Sequence, residues 1–177
     1  GSVEVGRRVA SVAGSHLKKI NLELGSVDPF IVFEDADLDV AVPGVAWARL
    51  LNSGQVCTSS KRIYVIQDIA NEFVDRLVSH VKTLRIGNPM NPDTDLGPLI
   101  SHEALEKVER QVAQAIETGA KLVLGGKSVK PAGLGGHFFE PTIFTHVQHG
   151  SILTTEEVFG PVLSITVARN ADEAIEM

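Results

Sequence analysis

The 177-residue chain is 44% hydrophobic and 21% charged and carries a net charge of −6. Such a composition lies in the range of globular domains and outside the disordered one, and the acidic balance excludes a surface built to grip nucleic-acid phosphates, which concentrates Lys and Arg on one face. A single cysteine excludes an internal disulfide framework and points to a reducing, cytoplasmic setting. No apolar run approaches the roughly 20 residues needed to cross a bilayer, so neither nucleic acid nor membrane is an expected partner.

Residues 3–17 place Val5, Val9, Val12 and Ala13 at helical spacing. "INLEL" then alternates, which predicts a strand with Ile20, Leu22 and Leu24 on one side and Asn21 and Glu23 on the other. The continuous run "PFIVF" suits a strand buried on both faces. The Asp-rich "DADLDVAV" opens a helix whose apolar pattern continues through Val45, Trp47, Leu50 and Leu51 to a stop at Gly54. Within it Pro43-Gly44 removes a backbone donor, which costs about 3 kcal/mol in a helix interior and predicts a kink or a true start near Asp39.

"RIYVI" reads as a strand, and the next segment as an amphipathic helix capped by Asp68, with Ile69, Phe73, Leu77 and Val81 near one stripe. "GNPMNPDTDLGPLIS" is loop. Ser101 caps the following helix, whose stripe of Leu105, Val108, Val112 and Ile116 ends at Gly119. "KLVLGG" predicts a strand, a turn-rich stretch follows, and "TIFTHV" and "VLSITVA" are short strands. Asn170 with Glu173 begins a last helix just before Met177, so the sequence reads as a segment of something longer. The alternation of strand and helix predicts an α/β fold, three layers in α/β/α order around a largely parallel open sheet.

Three positions carry candidate chemistry. Cys57 lies in "NSGQVCTSSKR", a tight turn of small and polar residues; Lys61 and Arg62 nearby would favour the thiolate. A lone cysteine is as often a small buried hydrophobe, and the stretch alone leaves both readings open. Glu23 in "LELG" falls at the end of a predicted strand, where open α/β sheets place their sites; it is either a proton acceptor there or a solvated surface charge. In "TTEEVFGPV" a rigid Gly-Pro turn either displays Phe159 beside Glu157 or simply follows a solvated acidic pair. The six histidines show no metal-ligand spacing.

Taken together and in this order, "LELGS", "NSGQVCTSSKR", "DTDLGPLIS" and "EEVFGPV" resemble the aldehyde dehydrogenase superfamily over practically the whole chain. The resemblance implies oxidation of a small-molecule aldehyde to a carboxylic acid with NAD or NADP. Cys57 would attack the aldehyde carbon as a thiolate, with its backbone N–H helping to hold the oxyanion; hydride would pass to the nicotinamide, and Glu23 would activate the water that hydrolyses the thioester. Glu157 matches a ribose-holding glutamate and Phe159 an aromatic beside the nicotinamide. Leu24 and Gly25 match a stretch lying against the carboxamide, and Ser2, where native, matches the end of a phosphate-contacting "GS" at a helix N-terminus.

It also implies that residues 1–24 are the tail of a cofactor-binding domain and residues 25–177 a catalytic domain lacking its C-terminal part. The isolated segment would then turn over no aldehyde, and the full-length protein would be a homodimer or homotetramer. Ser26 stands where relatives commonly have a second glycine, which puts a side chain near the nicotinamide. By the same token, a CoA-acylating enzyme of the same fold would usually lack a glutamate at position 23, and a non-catalytic module would have no use for Cys57, Glu23 and "EEVFGP" together.

Overall fold

The computed structural model describes residues 1–177. Ser2 caps the first helix, α1 (Val3–Ser15), by accepting from the Val5 N–H. Of α1 only Gly6 is buried, and there the Leu24 side chain packs against the bare backbone. The apolar face of the helix is open, with Val5 56% exposed.

The "INLEL" strand does not form. Residues 16–27 are irregular, and Ile20 and Leu22 stay exposed. Alternation prepares a strand's two faces, but a strand also needs a neighbour to complete its hydrogen-bond ladder, and no strand of the chain lies beside these residues.

Strand β1 (Asp28–Val32) follows, pairing only with β2 (Ser60–Ile66) in parallel. It is therefore an edge strand, with only Val32 fully buried, rather than one covered on both faces; Pro29, which has no N–H to donate, suits an edge. Helix α2 (Leu38–Leu50) starts beside the expected Asp39, is capped by the Asp37 side chain and continues through Pro43 as one helix. Trp47, placed on the apolar stripe by spacing, is instead 67% exposed.

Helix α3 (Gln67–Val81) begins directly at the end of β2, and its N-cap is Ile66, not Asp68, which sits in the first turn where its charge favours the helix dipole. Phe73, Leu77 and Val81 are buried as expected. Helix α4 (His102–Glu117) is capped by Ser101 and stops at Gly119, which adopts φ +95°. Its last stripe residue, Ile116, is exposed.

Strand β3 (Lys121–Leu124) runs antiparallel to β6 (Thr142–Thr145), while β4 (Ser128–Val129) and β5 (Phe138–Phe139) form a separate short pair in the turn-rich stretch. A four-residue helix, α5 (Ile152–Thr155), precedes β7 (Val162–Ala168), and α6 (Ala171–Glu176) closes the chain, capped by Asn170.

The main sheet has the order β1-β2-β7-β6-β3, parallel throughout except at β3. Period-two alternation sorts its side chains between two layers. Ile63, Val65, Leu163, Ile165 and Ile143 meet α2 and α3 on one face. On the other, Phe144 and Val162 meet α4 and α5, and Tyr64, Ile66 and Ala168 meet α6. This is the three-layer α/β/α arrangement expected. No helix is long and apolar enough to cross a membrane.

Candidate active site

Between α2 and β2 the chain makes a turn in which Asn52, Ser53 and Gly54 all have left-handed φ, at 51°, 56° and 74°. L side chains other than Asn and Asp resist this region, so the surroundings must hold it. They do. Ser53 Oγ donates to the Gly97 carbonyl at 2.8 Å, Gln55 Oε1 accepts from the Ile100 N–H at 2.9 Å, and Asn52 Nδ2 donates to the Gln55 carbonyl at 3.2 Å. A Cβ on Gly54 would collide with the Gly160 carbonyl, so only glycine lets the turn and the "FGP" segment touch.

Arg49, on the last turn of α2 and 0% exposed, fastens the same two segments. It donates to the Gly54 carbonyl (3.2 Å) and Ser59 Oγ (3.1 Å) on the turn, and to the carbonyls of Val158, in the segment before β7, and Val162, the first residue of β7 (both 2.7 Å). Burial lowers its pKa to about 10, and the Glu157 carboxylate acts against that shift.

Cys57 is exposed at the end of the turn. Its Sγ has no hydrogen-bond partner, and its N–H has no acceptor in the chain. The two cations predicted to favour the thiolate are engaged elsewhere. Arg62 donates to the Val27 carbonyl at 2.6 Å and to the Met177 carbonyl at 3.2 Å. Lys61, its side chain 2% exposed, donates to the carbonyls of Val56 (3.1 Å), Cys57 (2.7 Å) and Ser59 (3.3 Å) and pairs with Glu157 Oε1 at 3.3 Å. Its charge is thus met by a carboxylate and three carbonyls rather than by the sulfur.

These residues surround a cleft of about 680 Å³. Cys57 lines it together with Ser2, Leu24, Gly25, Glu157 and Phe159. Phe159 is 36% exposed there, so the Gly-Pro turn does display it rather than bury it. A Cβ on Gly25 would run into the Glu157 carboxylate, so only glycine lets that carboxylate pack against the backbone here. Six of the seven expected residues converge. Glu23 does not line the cleft; it is exposed, one position before Leu24, which does.

The structure adds residues that sequence spacing did not single out. Lys107 and Val108 of α4 line the cleft opposite the turn, and no local pattern foretold which face of α4 would do so. Gln111 Nε2 donates to the Glu157 carbonyl at 3.3 Å while its Oε1 is buried without a partner. Arg49 left a signal: it falls four positions after Val45 on the buried stripe of α2, where a cation needs acceptors.

Comparison with known proteins places this geometry. The model of the aldehyde dehydrogenase family matches residues 1–177. Succinate-semialdehyde dehydrogenase [NADP(+)] 1 of Mycobacterium tuberculosis is 44% identical over all 177 residues, which span 38% of that protein. Among solved structures, lactaldehyde dehydrogenase from Escherichia coli is 41% identical with a TM-score of 0.94, covering 99% of this chain and 36% of its own. Betaine aldehyde dehydrogenase from Staphylococcus aureus, in complex with NAD+, is 36% identical with a TM-score of 0.95, covering 99% and 35%. The chain therefore spans little more than a third of the length of these relatives. A match of family model, sequence and backbone over its whole length shows that the chain belongs to the aldehyde dehydrogenase family.

Proposed function

We propose that this chain is the cysteine-bearing part of an enzyme that oxidises an aldehyde to a carboxylic acid with NAD+ or NADP+, through a thioester on Cys57. The carrying observation is an exposed thiol, with an unpaired N–H, that lines the same cleft as Glu157 and Phe159. A nucleophile needs access, and the tetrahedral oxyanion it creates needs a donor that is not already engaged.

The cleft suits a nicotinamide dinucleotide. Glu157 Oε2 has no donor and can accept from a ribose hydroxyl, Phe159 offers an apolar face for a ring, and Gly25, with no side chain, lets the Glu157 carboxylate pack against its backbone beside them. The Val3 and Glu4 N–H groups at the start of α1 are unpaired donors for a phosphate. Leu24 and Ser2 complete that side. When bound, the dinucleotide supplies the hydride acceptor.

Cys57 Sγ forms the bond to the carbonyl carbon while its N–H holds the oxyanion. Once hydride has left and a thioester remains, the exposed Glu23 side chain turns into the cleft beside Leu24 and takes a proton from the water that attacks the thioester, and Cys57 departs as thiolate. Residues 1–24 belong to the cofactor-binding domain, the rest of which covers the apolar face of α1 and supplies the neighbour that would turn "INLEL" into a strand. Residues 25–177 belong to the catalytic domain. The substrate class favoured by the similarity to the mycobacterial enzyme is a semialdehyde.

The test is a panel of aldehydes, succinic semialdehyde first, offered to the full-length protein with NAD+ or NADP+ while the reduced dinucleotide is followed by absorbance. Reduction with release of a free acid is expected. A folded protein that reduces no dinucleotide with any aldehyde sinks the proposal, and product formation only with added CoA would favour the acylating alternative.

A further inference from the structure

Ser26, Cys57, Lys61 and Glu157 close a ring of three hydrogen bonds and one ion pair that the reaction does not itself require. The Cys57 carbonyl accepts from Lys61 Nζ at 2.7 Å and from Ser26 Oγ; Glu157 Oε1 forms an ion pair with Lys61 Nζ at 3.3 Å and accepts from the Ser26 N–H at 3.4 Å. The side chain at position 26 thus turns towards the nucleophile's backbone rather than into the nicotinamide side of the cleft.

We infer that Ser26 and Lys61 are positioning residues that hold the oxyanion donor of Cys57 and the carboxylate of Glu157 as one unit, an inference that rests on the roles proposed above for those two residues. Peptide planarity supplies the first half. In a trans peptide the Val56 C=O and the Cys57 N–H lie in one plane and point in opposite directions, so Lys61 at 3.1 Å from the Val56 oxygen fixes where the Cys57 N–H aims. The bonds from Lys61 and Ser26 to the Cys57 carbonyl fix the next peptide, so the residue bearing the thiol is held on both sides.

The second half concerns Glu157. Its Oε1 is committed to Lys61 and Ser26, while Oε2 lies over Gly25 with no donor. The clamp thereby reserves one oxygen for a ligand and prevents the carboxylate from rotating. Lys61 has no other anionic partner and is buried, so removing Glu157 leaves its charge to carbonyls alone, and removing Lys61 leaves Glu157 Oε1 to the Ser26 N–H alone.

The experiment compares Ser26→Ala, Lys61→Met, Lys61→Arg and Glu157→Gln in the full-length protein by two readouts. One is the dissociation constant of NADH or NADPH from fluorescence titration; the other is the rate of the first turnover with aldehyde at saturating dinucleotide. Lys61→Met should slow the first turnover about tenfold, as a misaimed oxyanion donor does, and weaken dinucleotide binding about tenfold, with no further loss when Glu157→Gln is added. Ser26→Ala, which keeps its N–H on Glu157, should slow the first turnover severalfold and leave the dissociation constant within about twofold. Lys61→Arg should recover most of both.

Multiplicative effects of Lys61→Met and Glu157→Gln on binding would overturn the clamp, as would a Lys61→Met protein whose only change is a lower melting temperature. Where Lys61→Met does not fold, Ser26→Ala decides: a wild-type first turnover refutes the inference. A Glu157→Gln protein with unchanged affinity and a slowed first turnover would remove Glu157 from cofactor binding while leaving the clamp standing.

Discussion

Arg49 Nη2 donates to the Val158 carbonyl at 2.7 Å, joining the helix that precedes Cys57 to a segment 109 positions later. Replacing Arg49 with Met would strand the buried carbonyls of Val158 and Val162 without donors, each costing about 1–3 kcal/mol. Urea unfolding should show a loss of about 3 kcal/mol or more for Arg49→Met. Arg49→Lys should recover less than half of it, because a point charge cannot reproduce the planar fork.

The same residue makes a pH prediction. Its folded pKa, about 10, lies below that of the unfolded side chain, so the unfolded state holds the proton more tightly and the Arg49 contribution to stability rises as pH climbs above about 10. Below that value both states are protonated. The stability difference between wild type and Arg49→Met should therefore stay flat from about pH 6 to about pH 9 in denaturant titrations.

Gly54 combines φ +74° with contact against the Gly160 carbonyl. Gly54→Ala should cost at least about 2 kcal/mol in thermal or urea unfolding. It should also slow the first turnover of the full-length protein, because it pushes the cysteine turn away from "FGP".

Glu23→Gln tests the deacylation role. Rapid mixing of the full-length variant with aldehyde and dinucleotide should give a burst of about one equivalent of reduced dinucleotide, followed by a steady state about 10² to 10⁴ times slower than wild type. A variant with no burst but a uniformly reduced rate would assign Glu23 elsewhere.

Glu173 gives a local acid response. Its carboxylate is held below the usual range by the Arg169 side chain first and the Arg169 N–H second. A depressed folded pKa means that this stabilisation is present above the ordinary glutamate value and is lost as pH falls through the folded one. Protection factors of the α6 amides, that is, exchange rates corrected for their intrinsic pH dependence, should fall on acidification in the wild type, and Glu173→Gln should abolish that fall.

Much of the fold was legible because burial writes itself into spacing. Phe73, Leu77 and Val81 gave α3, Ser101 and Gly119 bracketed α4, and Asn170 with Glu173 marked α6. The failures have local causes. "INLEL" has a strand's alternation without a strand's neighbour, "PFIVF" is an apolar run at a sheet edge, and Trp47 fits a helical stripe yet faces outward. Spacing along one element cannot say what lies beside it.

Of the candidate site, the convergence of residues from distant motifs was legible, and the contacts that support them were not. Convergence of Cys57, Gly25, Glu157 and Phe159 on one cleft agrees with the motif order. Lys61 was read as a neighbour of the sulfur because it is near in sequence; in space a carboxylate from a hundred residues away claims it. The resemblance predicts a side chain near the nicotinamide at Ser26, and its hydroxyl is instead a tether on the Cys57 carbonyl.

The sheet order has a consequence for how the chain is made. β7 lies between β2 and β6, yet it is the last strand of the chain to leave the ribosome. Until it arrives, β1–β2 and β6–β3 are two separate ladders with no shared edge, and the carbonyls of Val158 and Val162 that anchor Arg49 have not yet been placed. Early pairings are thus local, and the one that joins the halves spans about a hundred residues, which is slow to close. The turn that bears Cys57 can therefore be tied to Gly97 and Ile100 early, but it gains its Arg49 anchors only when the central strand slides into its gap.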